Sequence, residues 1–180
     1  TAGDLTMWQK QVANVVVKSP PASAAMLAAL AAPLFHFSGL KEGFIFNIAG
    51  NGSSGKTSAN VAAASVWGNP RNMSSWNASS RGLIEEAAAN NDMCLVLDDV
   101  EQAAEDSKTR HRKVNDLTHA LASGSGKNYA KIISGPDQLP KLKFRALVLS
   151  SSPTSIEEAL RASGTARTDG DRVRLLEYRI

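Results

Sequence analysis

The sequence predicts an α/β fold in which helices flank a parallel central sheet. The apolar run 43–48 is bounded by glycines, and the apolar run 93–97 ends at Asp98-Asp99, which is the pattern of buried parallel strands. A glycine-rich loop connects the first run directly to an alanine-rich segment of helical composition. The chain therefore contains the order strand, glycine loop, helix.

Two helices are predicted before the first strand. Residues 8–18 carry apolar side chains at helical spacing and end at Ser19-Pro20-Pro21, where helices stop. Residues 23–35 are apolar all round, as in a helix buried on several faces, and Ser38-Gly39 ends them. The apolar stretch 24–35 is shorter than a membrane span and contains Pro33, so no membrane contact is predicted.

The segments after the glycine loop alternate between helical and strand patterns. Helices are predicted at 56–67, at 79–89 with Ser79 or Ser80 as the cap, and at 109–122. Further along, a strand at 144–150 precedes a helix at 154–162 and a last strand at 172–178. A two-stranded excursion is predicted from 127–133 and the stretch from 141, with a turn at 135–137.

Composition is that of one compact globular domain. The 180 residues are 43% hydrophobic and 21% charged, with a net charge of +3. We expect a single domain over 1–180, in which an N-terminal helical segment, about 1–40, packs on a core, about 41–180. A single cysteine, Cys94, excludes an internal disulfide and fits a reducing cytoplasm, while the first residue, Thr1, suggests an excised or processed piece.

Residues 50–57, GNGSSGKT, satisfy the pattern G-x-x-x-x-G-K-[ST] at every fixed position. In such a loop glycines let backbone N–H groups surround phosphates, a lysine reaches the outer phosphates, and a hydroxyl holds Mg²⁺. The pattern predicts ATP and Mg²⁺ as cofactors. The predicted binding residues are Gly50, Asn51, Gly52, Ser53, Ser54, Gly55, Lys56, Thr57 and Ser58. The alternative, a plain glycine-serine turn, fits the flanking strand and helix less well.

Asp98 and Asp99 supply the second half of the predicted site. An acid at the end of an apolar parallel strand lies at the carboxyl edge of the sheet, where the glycine loop also opens. Asp98 is the predicted Mg²⁺ ligand together with Thr57, and Asp99 the group that orients or deprotonates the attacking water. A solvated turn at Asp98-Asp99 is the alternative.

Two further catalytic candidates come from the C-terminal part of the chain. Ser150, at the end of a predicted strand, is placed to face the outer phosphate or the water, although strand-end serines are often helix caps. Arg161, Arg167, Arg172 and Arg174 could include an arginine that stabilises transition-state charge across a subunit boundary.

Several runs resemble one known family along residues 20–178: FNIAGNGSSGKTSANVAAASVWGNP, SSWNASSRGLIEEAAANNDMCLVLDDVEQA, FRALVLSSSP and DRVRLLEY. They look like the P-loop ATPase domain catalogued as domain of unknown function nine-two-seven, found in phage and mobile-element proteins. That family is similar to AAA-type and superfamily-three helicase ATPases. The resemblance implies a P-loop NTPase with an AAA-like parallel sheet, ring assembly and ATP-driven movement on DNA.

The same resemblance assigns roles residue by residue. Gly50, Gly55, Lys56 and Thr57 match the nucleotide loop, Asp98 and Asp99 the metal and base strand, Ser150 the sensor-like strand end, and Arg174 the arginine of the V-R-L segment. The family often has an acid just after the sensor strand, whereas this chain has none before Glu157. Lys127 and Lys131 fall where related helicases carry a DNA-contacting hairpin.

The sequence thus predicts a helicase-like ATPase motor of a phage or mobile element, Lys56 and Asp99 being central to catalysis. Its expected partners are single-stranded or forked DNA and further copies of itself in a homo-oligomeric ring such as a hexamer, in the cytoplasm. One alternative is a P-loop kinase, with residues 161–174 as an arginine-rich lid over a small-molecule acceptor. Another is a nucleotide-binding module without hydrolysis, because Asp99 is shorter than the glutamate common at that position.

Overall fold

Five parallel strands form one sheet in the computed structural model of the chain, which describes residues 3–125, 142–162 and 173–180. The strands are β1 (Phe44–Ala49), β2 (Ser74–Ser75), β3 (Cys94–Asp98), β4 (Leu147–Ser152) and β5 (Leu175–Arg179). Their order across the sheet is β2-β3-β4-β1-β5, and each neighbouring pair is parallel. The predicted α/β fold with a parallel central sheet and flanking helices is confirmed.

Helices precede β1 and connect the strands. Before β1 lie α1 (Leu5–Trp8), a π-helical stretch (Gln9–Ala13), α2 (Asn14–Val16), α3 (Pro20–Ala31), a 3₁₀ turn (Ala32–Leu34) and α4 (Phe35–Ser38). After β1 come α5 (Lys56–Ala64), α6 (Ser80–Ala89), α7 (Ser107–Ser123) and α8 (Ile156–Ala162). Short 3₁₀ turns lie at Pro70–Asn72 and Val100–Ala103.

The predicted elements differ from these mainly at their ends. The strand predicted from Phe144 begins only at Leu147, because the Phe144 amide donates to the Gly124 carbonyl at the end of α7. The edge strand β2 has two residues, too few to show alternation in the sequence, and was not predicted. The predicted excursion at 127–133 and the turn at 135–137 lie outside the described residues.

Alternating strand residues supply two separate cores, one on each face of the sheet. On one face, Ile45 and Val148 pack with side chains of α6 and α7 such as Leu83 and Leu117. On the other face, Ile48 and the neighbouring strand residues pack with the small side chains of α3 and α5. The molecule therefore has three layers, helix, sheet and helix, and the strands read as nearly continuous apolar runs because both faces are covered.

The helices before β1 pack on α5. Pro20 and Pro21 end the preceding helical segment as predicted, and they also open α3, where a first-turn proline loses no hydrogen bond. Residues 20–38 are long and apolar enough, by length and composition alone, to cross a membrane. In the structure Ala25, Ala29 and Ala32 of this stretch are fully buried in the core shared with α5, whereas its large side chains Leu27, Leu30 and Leu34 are exposed, so burial on several faces was wrongly predicted.

The parallel arrangement brings the predicted site residues to one edge of the sheet. The glycine loop follows β1, Asp99 follows β3, and β4 ends at Ser152, so all three lie at the carboxyl edge. Because β4 lies between β1 and β3, the end of β4 separates the loop from the two aspartates. Open α/β sheets bind ligands at this edge.

Candidate functional site

The glycine loop is fixed at its root and open at its tip. Its first glycine, Gly50, donates its N–H to the Ser152 carbonyl at 3.1 Å, and the Ile180 N–H donates to the Ala49 carbonyl at 2.9 Å. A Cβ at Gly50 would lie 2.6 Å from Ile180 Cγ1 and 2.7 Å from its carbonyl oxygen. Only glycine fits between β1 and Ile180 at this point.

The tip of the loop turns through left-handed backbone and exposes amides. Ser53 has a φ of 61° and Gly55 a φ of 89°, so the chain curls back before α5 begins at Lys56. A Cβ at Gly52 or Gly55 would meet nothing within 4 Å. Within the described part of the chain, the N–H groups of 51–53 and 55 donate to no acceptor. Successive free amides at a helix N-terminus are donors suited to an anion.

Lys56 lies folded over the loop that precedes it. Its Nζ donates to the carbonyl oxygens of Gly50 at 2.7 Å and Asn51 at 2.8 Å, and it lies 3.4 Å from Ser54 Oγ. The ammonium group is thus held at the mouth of the loop by neutral acceptors. A phosphate bound there would replace these neutral carbonyl acceptors of Lys56 by negatively charged oxygens, which form stronger hydrogen bonds with an ammonium group.

Asp98 is fixed through one of its two carboxylate oxygens. Its Oδ1 accepts hydrogen bonds from Asn60 Nδ2 at 3.1 Å and from Ser151 Oγ at 2.9 Å. Asn60 belongs to α5 and Ser151 to β4, so the carboxylate connects three neighbouring elements. Thr57 is exposed in the first turn of α5, one helical turn before Asn60 and on the same face. This places the Thr57 hydroxyl and the Asp98 carboxylate on the same side of the sheet.

Asp99 has a strained backbone conformation. Its φ is 52°, a region that non-glycine residues rarely occupy. Its N–H donates to Ser151 Oγ at 3.1 Å, and its carboxylate accepts from the Glu101 N–H at 3.1 Å. Strain of this kind is concentrated at functional sites, and here it turns Asp99 out of the strand immediately beside Asp98.

Ser150 occupies a different environment from the one predicted. It is fully buried, and its Oγ accepts a hydrogen bond from the Trp76 indole at 2.9 Å, on the sheet face covered by α6 and α7. Its neighbour Ser151 points to the opposite face, where it contacts Asp98 and Asp99. The serine of β4 that reaches the candidate site is therefore Ser151.

Two of the predicted arginines, Arg174 and Arg161, lie in the described part of the chain, and each pairs with a carboxylate. Arg174 precedes β5 at the amino edge of the sheet, where its guanidinium pairs with Glu42 at 3.2 Å and its carbonyl accepts from the Ile45 N–H. Arg161 pairs with Glu157 on α8 at 2.6 Å. Arg167, Arg172, Lys127 and Lys131 lie outside the described residues. A role for Arg174 in a neighbouring copy's site stays a prediction.

Cys94 is a half-buried free thiol at the start of β3. Burial at the start of β3 raises the pKa of Cys94 to about 12, so the thiol stays protonated at neutral pH. Across the described residues, no group of three or more His, Cys, Asp or Glu side chains is arranged to hold a metal.

Comparison with known proteins assigns the chain to a family. The profile of the family described as "Domain of unknown function (DUF927)" matches residues 1–136, most of the chain. The chain belongs to the DUF927 family. No curated protein sequence matches this DUF927 chain significantly.

A solved helicase structure shares the fold of this DUF927 chain. A structure described as "SCCmec type IV Cch - active helicase" has a TM-score of 0.70 and 24% identity, covering 99% of this chain and 31% of that one. NtrX from Brucella abortus in complex with ATP has a TM-score of 0.45 and 14% identity, covering 97% of this chain and 42% of that one. The chain thus spans less than half the length of these proteins, and the first likeness supports the fold.

Two residues of the candidate site were missed by sequence reasoning. Asn60 is an isolated amide in an alanine-rich helix, three residues after Thr57, and this spacing was the available signal. Ser151 is one of three consecutive serines, and only the strand pairing distinguishes it from its neighbours.

Proposed function

We propose that this DUF927 chain is an ATP-binding and ATP-hydrolysing motor domain. The observation that carries the proposal is the juxtaposition at one sheet edge of a loop with free amides, a lysine over its mouth, and a carboxylate fixed through a single oxygen. The parts match the requirements of phosphoryl transfer, which needs positioning and charge stabilisation more than covalent chemistry.

The residues present fit ATP with Mg²⁺. The amides of 51–53 and 55 and the first turn of α5 provide donors for the phosphates, and Lys56 provides the positive charge. Thr57 and Asp98 provide hydroxyl and carboxylate oxygens, the ligand types that Mg²⁺ takes beside phosphate. When bound, Mg²⁺ supplies neutralisation of the phosphate charge.

Asp99 is the proposed residue that orients and deprotonates the attacking water. It lies next to the metal-binding Asp98 and is turned out of the strand by its positive φ. Its carboxylate exchanges the Glu101 amide for the water in this proposal. Ser151, which contacts both aspartates, takes the sensing role proposed for the end of β4, in place of Ser150.

The motor's action on DNA rests on the family resemblance and on the helicase fold neighbour. We propose that the full-length protein works on single-stranded or forked DNA in the replication of a phage or mobile element, in the cytoplasm. Copies would assemble in a ring such as a hexamer, with Arg174 or another arginine reaching a neighbour's site. Lys127 and Lys131 are the proposed DNA contacts.

Replacing the loop lysine tests the nucleotide site. We expect Lys56→Ala in the full-length protein to weaken binding of a fluorescent ATP analogue by about 10- to 100-fold, the equivalent of one charged hydrogen bond. Lys10→Ala, an exposed lysine on the helical segment before β1, is the matched control and should bind as wild type does. Equal affinities in the two variants would sink the proposal.

A further inference from the structure

Asn60 is a fully buried asparagine whose amide nitrogen is committed to Asp98. Its side chain is 0% exposed, and Nδ2 donates to Asp98 Oδ1 at 3.1 Å. Ser151 Oγ donates to the same oxygen at 2.9 Å. Among the described residues, no donor reaches Asp98 Oδ2. Both donors therefore hold one oxygen and leave the other available.

The donors that hold Asp98 are electrically neutral. A lysine or arginine in their place would cancel the carboxylate charge and compete with a cation for it. An amide and a hydroxyl fix the orientation of the carboxylate while its full negative charge remains. This is the arrangement expected of a carboxylate that is positioned for a metal ion and not for an ion pair.

The position of Asn60 in α5 carries an energetic penalty that its contact with Asp98 explains. Its Oδ1 is buried and has no hydrogen-bond partner within the described residues. A buried acceptor without a partner is unfavourable, and an apolar side chain of similar size would avoid it. The neighbouring helix positions 59, 62 and 63 are alanines buried in the core. The hydrogen bond from Asn60 Nδ2 to Asp98 therefore explains why an asparagine occupies this buried position.

We propose that Asn60 is a positioning residue for the divalent cation of the nucleotide complex. It acts through Asp98, holding Oδ1 together with Ser151 so that Oδ2 would be free to bind the cation. The inference rests on the proposed nucleotide site and adds to it a residue on α5 that belongs to neither the loop nor the aspartate pair.

Metal-linked nucleotide binding tests this role without measuring turnover. A fluorescent ATP analogue is titrated onto the full-length protein without Mg²⁺, and Mg²⁺ is then titrated into the complex. We expect Asn60→Ala to leave the Mg²⁺-free affinity unchanged within error and to raise the half-saturating Mg²⁺ concentration about 10- to 100-fold, as loss of an outer-shell partner does. Asn90→Ala, which removes a hydrogen bond from the side-chain amide to the Glu86 carbonyl, is the control and should behave as wild type.

Further variants separate the positioning role from general damage to the fold. Asn60→Leu keeps the volume of the side chain and removes its donor, and Ser151→Ala removes the other donor to the same oxygen. Each variant should raise the half-saturating Mg²⁺ concentration, as Asn60→Ala does. Thermal unfolding of each variant is recorded in parallel. If the wild-type protein binds no nucleotide, or binds it with no effect of Mg²⁺, the result contradicts the proposed function itself. Normal Mg²⁺ coupling in wild type together with unchanged coupling in the folded variants would overturn only the role of Asn60.

Discussion

Asp92 and Arg145 connect three segments at the amino edge of the sheet, opposite the candidate site. The Asp92 carboxylate accepts from Arg145 Nε at 2.6 Å and lies 3.3 Å from His36 Nδ1, near the end of α4. Arg145 also donates to the Leu40 carbonyl, and its own carbonyl accepts from the Asp92 N–H at 2.6 Å. These hydrogen bonds join the residues that precede β3 to the residues that precede β4.

Stability should depend on pH through this carboxylate. Burial raises the pKa of Asp92, but hydrogen bonds and positive charge from Arg145 and His36 outweigh it and hold the pKa below its usual value of 3.8. A lowered folded pKa gives stability that is complete above the unfolded pKa and is lost as pH falls through the folded pKa. We expect Asp92→Asn to lower the free energy of unfolding by about 2 kcal/mol at pH near 7 and by progressively less below pH of about 4.

The measurement is denaturant unfolding of both proteins across this pH range. Asparagine suits the test because it tolerates the φ of 59° at this position. Glu105→Gln, at an exposed carboxylate, should show no such difference. A deficit in Asp92→Asn that stayed constant down to pH of about 2 would contradict the ionic origin of the contact.

At the level of single residues, the sequence predicts which residue types form the candidate site better than it predicts the face of the sheet to which each side chain points. The loop pattern and the strand-end aspartates were sufficient to predict that the glycine loop and Asp98 lie at the same edge of the sheet. The choice between Ser150 and Ser151 depended on register, because β3 and β4 pair Leu97 with Ser150 and so put Asp98 beside Ser151. The contact of Trp76 with Ser150 joins residues 74 positions apart, which no local pattern encodes.

Among the elements, the glycine loop is packed at its first residue against Ile180, which follows β5. Gly50 meets Ile180, whereas Gly52 at the tip meets nothing within 4 Å. We expect Gly50→Ala to lower the melting temperature measured without nucleotide, because the new methyl group must displace backbone at 2.7 Å. Gly52→Ala is the matched control and should melt close to wild type. Equal melting temperatures for the two variants would contradict the fixed root of the loop.

Long elements were predicted because their patterns are strong. α6 begins after the expected cap, Ser79, whose Oγ accepts from the Gly82 N–H at 3.0 Å. β1 and β3 lie where two apolar runs predicted them, since buried parallel strands are apolar on both faces. The start of β4 was misplaced because Arg145 and Phe144 are committed to contacts with other segments before the strand begins.

On the scale of the whole molecule, the described residues carry the proposed nucleotide site and only part of the proposed motor. It spans 31% of the helicase structure whose fold it shares. Arg174 lies at the amino edge of the sheet, so its proposed contribution to catalysis requires a second copy. Ring assembly and DNA contact are thus properties to be measured on the full-length protein.

Phosphate release from ATP by the full-length protein, with and without single-stranded DNA, tests the central claim most directly. We predict Mg²⁺-dependent release that DNA accelerates, and a fall of about 100-fold or more in Asp99→Asn with ATP binding retained, because the residue that activates water is lost. No release of free phosphate, its transfer to a small acceptor instead, or undiminished turnover in Asp99→Asn would contradict the assignment of a hydrolysing motor.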